Sequence, residues 1–108
     1  MTENEISKIV FDAALQVHRS LGPGLLESAY EECLFYELKK SNLKAEKQKP
    51  LPLIYEEVKL EIGYRVDLMI ENKVVVEIKS VEALNDIHLA QVLTYLKLSN
   101  LFMLAFIA

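Results

Sequence analysis

The 108-residue chain has no tryptophan, one cysteine, two histidines, and three each of glycine and proline. With hydrophobic residues at 52% and so few glycines and prolines, a disordered chain, collagen-like repeats and a disulfide scaffold are all poor readings. A lone cysteine, Cys33, closes no internal disulfide and cannot furnish a Cys-rich zinc site. Together with the lack of a signal-like N-terminal stretch, it leads to an expectation of a reducing, cytoplasmic setting. Long apolar runs are missing too. The longest is Leu101 to Ala108, far short of the ~20 residues that cross a bilayer, so no membrane partner is expected. Nor is there an excess of positive charge: 12 Lys+Arg stand against 16 Asp+Glu, a formal net charge of −4. A protein that coats nucleic acid by charge alone is therefore excluded, and any such contact has to be local. What remains is one globular domain over residues 1–108, burying roughly 60 to 70% of its unfolded surface in a single core.

Ile6, Ile9, Val10, Ala13, Ala14, Val17 and Leu21 recur at steps of three and four, the signature of one helical face. Thr2 and Glu5 have the spacing of a capping box at its start. Gly22-Pro23-Gly24 breaks the helix, and Leu26, Ala29, Tyr30, Cys33, Leu34 and Leu38 open a second that ends near Ser41-Asn42. On that face Cys33 reads as a buried structural residue rather than a nucleophile. From Leu43 the pattern turns to β. Pro50 and Pro52 are expected to mark an edge or a break between two short strands, followed by strands over Tyr64–Ile70 and Val74–Lys79. A long helix is expected from Asn85, a good N-cap, to Ser99, and Leu101–Ile107 reads as a short buried strand. The expected order is ααββββαβ, with no repeat and no second domain.

Polar residues break this pattern in two places. With a three-residue loop Glu71-Asn72-Lys73, Ile70 faces Val74, and counting outward sets Asp67 opposite Glu77 and Arg65 opposite Lys79. Two carboxylates about 5 Å apart on one sheet face destabilise it unless something positive lies between them. Glu77 and Lys79 share that face by strand alternation. It is either a solvated face with a weak surface ion pair or a cation site. In the expected third helix, His88, Gln91 and Tyr95 form a polar stripe. The stripe is either that helix's wet side or a set of groups needing a polar partner inside.

Gly24-Leu25-Leu26-Glu27-Ser28-Ala29-Tyr30 is a G-x-x-E-x-x-Y string, and Tyr64-Arg65-Val66-Asp67, Glu77-Ile78-Lys79, then Gln91 and Tyr95 follow it in order. In this the chain resembles the GxxExxY proteins from about Ile6 to Lys97, a family that looks like a minimal branch of the PD-(D/E)XK, RecB-like nuclease superfamily. The resemblance implies an α/β (α+β) fold, a mixed central β-sheet flanked by helices with a restriction-endonuclease-like core. It further implies a metal-dependent nuclease in which Asp67 and Glu77 bind the ion and the carbonyl of Ile78 is an extra ligand. Glu27 would complete the shell. Lys79 would be the catalytic lysine, with Gln91 and Tyr95 as the Q-x-x-x-Y that follows. The implied ion is Mg²⁺ or Mn²⁺, a hard cation that suits carboxylates and activates water against a phosphodiester. One departure is the end of the chain: Leu101 to Ala108 lacks the glycine with which the family finishes its last strand and is expected to stop short of that strand's usual end.

Two functions are carried forward: hydrolysis of a DNA or RNA backbone, and a catalytically silent module that binds nucleic acid or protein through the same fold. Lys39, Lys40, Lys44, Lys47 and Lys49 gather within a short segment that holds only Glu46 as an opposing charge. They either track phosphates or, as is more common, protect a sheet edge. An apolar last strand without charged residues favours pairing with a second copy, hence a homodimer.

Overall fold

The computed structural model describes residues 1–22, 26–79 and 102–107. Helix α1 spans Glu3–Leu21 and α2 spans Glu27–Lys40. Thr2 caps α1 as its sequence implies: the Glu5 N–H donates to Thr2 Oγ1 at 3.2 Å and the Thr2 N–H to Glu5 Oε1 at 2.9 Å. That reciprocal pair satisfies two otherwise orphaned donors. It also holds the Glu5 carboxyl below its ordinary pKa, since both Thr2 contacts favour the charged form. At the other end Gly22 adopts φ 71°, a conformation that costs glycine little, and its N–H returns to the His18 carbonyl at 2.8 Å.

Four strands form one mixed sheet in the order β1-β2-β3-β4: β1 Ala45–Tyr55, β2 Val58–Ile70, β3 Val74–Lys79 and β4 Phe102–Ile107. The first three are antiparallel neighbours, and β4 lies parallel to β3, pairing Val74 with Phe102 through Lys79 with Ile107. The α+β class and the mixed sheet are as the sequence implies. The strand count before residue 80 is not. Of the two expectations at Pro50 and Pro52, an edge or a break between two short strands, the edge is found and the break is not: a single strand runs through both. Proline is tolerated because β1 is an edge strand. A register shift between Leu51 and Leu53 takes up the irregularity, leaving Pro52 alone against three residues of β2. β2 also starts at Val58 rather than Tyr64. The expected helix over Asn85–Ser99, with His88, Gln91 and Tyr95, lies outside the described residues.

The β2–β3 turn is the expected three-residue loop, with Ile70 paired to Val74. Glu71 and Asn72 take φ 53° and 55°, and the Lys73 N–H donates to the Ile70 carbonyl at 3.0 Å. Consecutive left-handed residues twist the chain in the sense a tight hairpin needs. A further tie, from the Glu71 N–H to the Lys44 carbonyl at 2.8 Å, anchors this turn to the start of β1.

Leu68, Ile70, Val74, Val76 and Ile78 form one core with Ile6, Val10, Ala13, Ala14 and Val17 of α1 and Tyr30, Leu34 and Leu38 of α2. Both helices therefore cover one face of the sheet. Met69, Val75 and Glu77 alternate to the other face and are buried as well. Strand β3 is thus covered on both sides from Val74 to Ile78, and the alternative of a solvated Glu77 face is excluded. Cys33 packs against the core only partly buried, less enclosed than its apolar pattern implied.

Tyr30 joins the two helices. It is fully buried, its hydroxyl donates to the Gly22 carbonyl, and its ring lies 5.2 Å from that of His18 at 42°. Replacing Tyr30 by Phe keeps the ring and strands that carbonyl. We expect a loss of about 1 kcal/mol in urea unfolding, with an unchanged m-value. A variant as stable as the wild type would show that the hydroxyl does not hold the α1–α2 corner.

Candidate functional site

Glu27 is the first residue of α2, where a carboxylate is favoured by the positive end of the helix dipole. The Ala29 and Tyr30 N–H groups bond back to the Leu26 carbonyl, and Tyr30 fixes the helix entry against α1. Glu31 follows Glu27 by four residues, one turn along the same face. Together with Ser28, Gln48 of β1, Asp67 of β2 and Ile78 of β3, these two glutamates line a cleft of about 210 Å³.

Asp67 sits where β2 and β3 part. Their described pairing ends at Leu68 with Val76. One residue further, the Asp67 carboxylate rather than a main-chain carbonyl receives the Ile78 N–H, through Oδ2 at 2.7 Å. Its other oxygen, Oδ1, accepts from the Gln48 side-chain amide at 3.3 Å, and the same nitrogen donates to Glu31 Oε1 at 2.6 Å. Gln48 lies mid-strand at φ 50°, an uncommon conformation for a residue with a side chain. Its carbonyl is held by Arg65 Nη1 at 3.2 Å. Beside it, Lys47 Nζ contacts both oxygens of Glu32 at 2.7 and 3.0 Å and lies 4.8 Å from the centre of the Phe35 ring.

The residues singled out from the sequence are thus brought together in part. Glu27, Asp67 and Ile78 share the cleft. Glu77, 3% exposed, is buried in the neighbouring strand but is not among the cleft's lining residues. Lys79 ends β3, its backbone beside Ile107. Arg65 pairs with Pro50 of β1, while the described β2–β3 ladder stops short of the expected Arg65–Lys79 pairing. Gln91 and Tyr95 fall outside the described residues. Sequence reasoning missed Glu31, Ser28 and Gln48. Only the i,i+4 repeat of glutamate on α2 could have signalled Glu31.

The five lysines have local partners. Besides the Lys47–Glu32 pair, Lys49 contacts Glu46 at 3.1 Å and Asn72 at 3.4 Å, Lys44 lies 4.0 Å from Glu46, and Lys40 3.8 Å from Glu37. Lys39 lies 5.6 Å from the centre of the Phe35 ring and Lys40 5.5 Å from that of Tyr36. Since β1 is the edge of the sheet, the segment has the character of a charged, protected edge.

Among the described residues the cleft's lining donors are carboxylates, hydroxyl, amide and main chain, with no cysteine or histidine. In chemistry that donor set fits a hard divalent cation such as Mg²⁺. In arrangement it is not drawn together: among the described residues no three His, Cys, Asp or Glu side chains close on one point.

Burial pushes the Glu31 carboxyl above its ordinary pKa, the negative Asp67 and Glu32 push it further, and the Gln48 amide and Lys47 oppose them. A carboxyl whose folded pKa is raised favours folding when protonated and disfavours it when charged. Its cost is therefore absent below the unfolded pKa and grows as pH rises through the folded one. Glu31→Gln keeps an acceptor for Gln48 without the charge. We expect its melting temperature to rise relative to wild type on going from about pH 4 to about pH 8. A constant difference across that range would show that Glu31 carries no such cost.

Comparison with protein-family models matches residues 4–107 to the PD-(D/E)XK nuclease superfamily. Searches of curated proteins and of solved structures found no match. A family match over nearly the whole chain, on a mixed sheet in which β2 and β3 part at an aspartate, establishes that this chain belongs to the PD-(D/E)XK nuclease superfamily.

Proposed function

We propose that the domain, over residues 1–108, is a metal-dependent phosphodiesterase that hydrolyses a DNA or RNA backbone with Mg²⁺ or Mn²⁺. The observation that carries this reading is the cleft shared by Glu27, Glu31, Asp67 and Ile78 in a chain of the nuclease superfamily. A bound divalent cation supplies charge neutralisation at the phosphoryl oxygens and a more acidic water. The chain's part is positional. The Ile78 N–H orients Asp67, and Glu27 brings a second carboxylate from the start of α2. Glu77 is the buried carboxylate of the adjoining strand, and its Glu77-Ile78-Lys79 string is the E-x-K of the resemblance. Lys79 is assigned to the attacking water or to charge developing at phosphorus. Gln91 and Tyr95 are assigned to orienting that lysine. Placement in the GxxExxY branch rests on the string from Gly24 to Tyr30. A cytoplasmic setting rests on the single cysteine, and a homodimer on the edge position of the apolar strand β4.

One observation favours the silent-module reading instead. Both Asp67 oxygens are engaged, and among the described residues no three acidic, histidine or cysteine side chains converge. The two readings separate in a cleavage assay on single- and double-stranded DNA and RNA with Mg²⁺ or Mn²⁺. As a hydrolase, the wild type cleaves at least one substrate, chelation abolishes cleavage, and Asp67→Asn lowers the rate by about 100-fold or more. No cleavage by the wild type, or equal cleavage by Asp67→Asn, leaves the silent module.

A further inference from the structure

Gln48 has no part in the reading above, yet three independent features converge on it. Its backbone is left-handed in the middle of a strand, its carbonyl is tied by Arg65, and its single amide nitrogen joins Glu31 of α2 to Asp67 of β2. The left-handed turn has a visible consequence. Lys47 and Gln48 are successive residues, which in a regular strand point to opposite faces. Here both reach carboxylates on α2, Lys47 taking Glu32 and Gln48 taking Glu31. The strained conformation therefore delivers a neutral donor to a place where two carboxylates would otherwise face each other. Strain of this kind persists only where surrounding contacts hold it, and Arg65 supplies one.

We infer that the Gln48 amide is a built-in stand-in for the cation: a positioning residue that bridges Glu31 and Asp67 until a divalent ion displaces it. The inference rests on the reading of this cleft as a cation site. The amide's two hydrogens carry partial positive charge, enough to join two acceptors but less than a divalent ion supplies. Two states then compete for Asp67 Oδ1, one bridged by Gln48 and one open to the ion. The bridged state reduces the apparent affinity by the fraction of molecules it occupies. Gln48 thus sets the affinity of the cleft from outside the set of ion-binding carboxylates. It also explains how the carboxylates are held without meeting at a point.

The test is Mn²⁺ binding by isothermal titration calorimetry to wild type, Gln48→Gly and Gln48→Glu, beside metal-free melting curves at low and high salt. Gln48→Gly removes the amide at a backbone position where glycine is at ease, which guards against a failure to fold. The expected result is Mn²⁺ binding at least about threefold tighter in Gln48→Gly, and tighter again in Gln48→Glu. Metal-free Gln48→Glu is expected to melt lower than wild type at low salt and to regain much of the loss at high salt, as screened like charges do. A purely structural Gln48 would shift melting without tightening Mn²⁺. Wild-type binding that both variants leave unchanged or weaken overturns the stand-in alone. Absence of Mn²⁺ binding in all three proteins overturns the cation site, and the stand-in with it.

Discussion

Everything at the cleft depends on one hydrogen bond, from the Ile78 main-chain N–H to the Asp67 carboxylate. The β2–β3 hairpin is held in register from its turn, where Glu71 and Asn72 adopt left-handed conformations and Ile70 meets Val74. Three pairs later the described ladder ends, and a side chain substitutes for a main-chain acceptor. An N–H left without an acceptor at a strand separation costs about 1 to 3 kcal/mol when buried. A carboxylate is a strong way to avoid that cost, because charge-assisted bonds are shorter and stronger than neutral ones. The same bond fixes where the aspartate points, and it ties the site to the rigid centre of the sheet rather than to a loop.

The remaining architecture manages the negative charge this creates. Glu27 gains from the start of α2, Glu32 is paired with Lys47, and Glu31 shares the Gln48 amide with Asp67. Glu31 is the residue on which compensation is incomplete. Its carboxyl is pushed up by burial and by its acidic neighbours more than the amide and Lys47 can offset. Tyr30 matters because it sets the angle at which α2 delivers these carboxylates, through its hydroxyl on Gly22. In this chain the tyrosine of the G-x-x-E-x-x-Y string is a structural tie between helices. The glutamate one turn before it is what lines the cleft.

Much of this was legible in the sequence where the signal is local. Thr2 and Glu5 marked the α1 cap, steps of three and four marked both helix faces, and the length of the Glu71-Asn72-Lys73 loop determined which residues meet across β2 and β3. Pro50 and Pro52 were compatible with an edge as well as with a break, and only the break, with its extra strand, failed. Edge position is a property of the whole sheet. Gln48 was not legible at all. Its role comes from a positive φ and from contacts with Glu31 and Asp67, 17 and 19 residues away in sequence, and no periodicity encodes either. Of the carboxylates that oppose the five lysines only Glu46 stands within their segment; Glu37 and Glu32, which meet Lys40 and Lys47, lie earlier on α2, and the Lys47 pairing exists only once the helix and β1 pack together.

Those pairings bear on how an acidic protein would meet an acidic polymer. With a net charge of −4, long-range attraction to a phosphate backbone is weak. Lys40, Lys44, Lys47 and Lys49 already lie within ion-pair distance of carboxylates. Contacts of that exposed kind are worth less than about 1 kcal/mol each, so a phosphate can displace them, but the gain is correspondingly small. On the proposed reading a divalent ion in the cleft would change the balance where it matters. It would offset two of the three negative charges of Glu27, Glu31 and Asp67 and offer a phosphate oxygen a local positive centre. Counterion release, which dominates binding to a basic surface, would count for less than occupancy of that one site. On the proposed reading, recognition of the backbone and activation of the water would be a single event, and Gln48, standing between Glu31 and Asp67, would govern both.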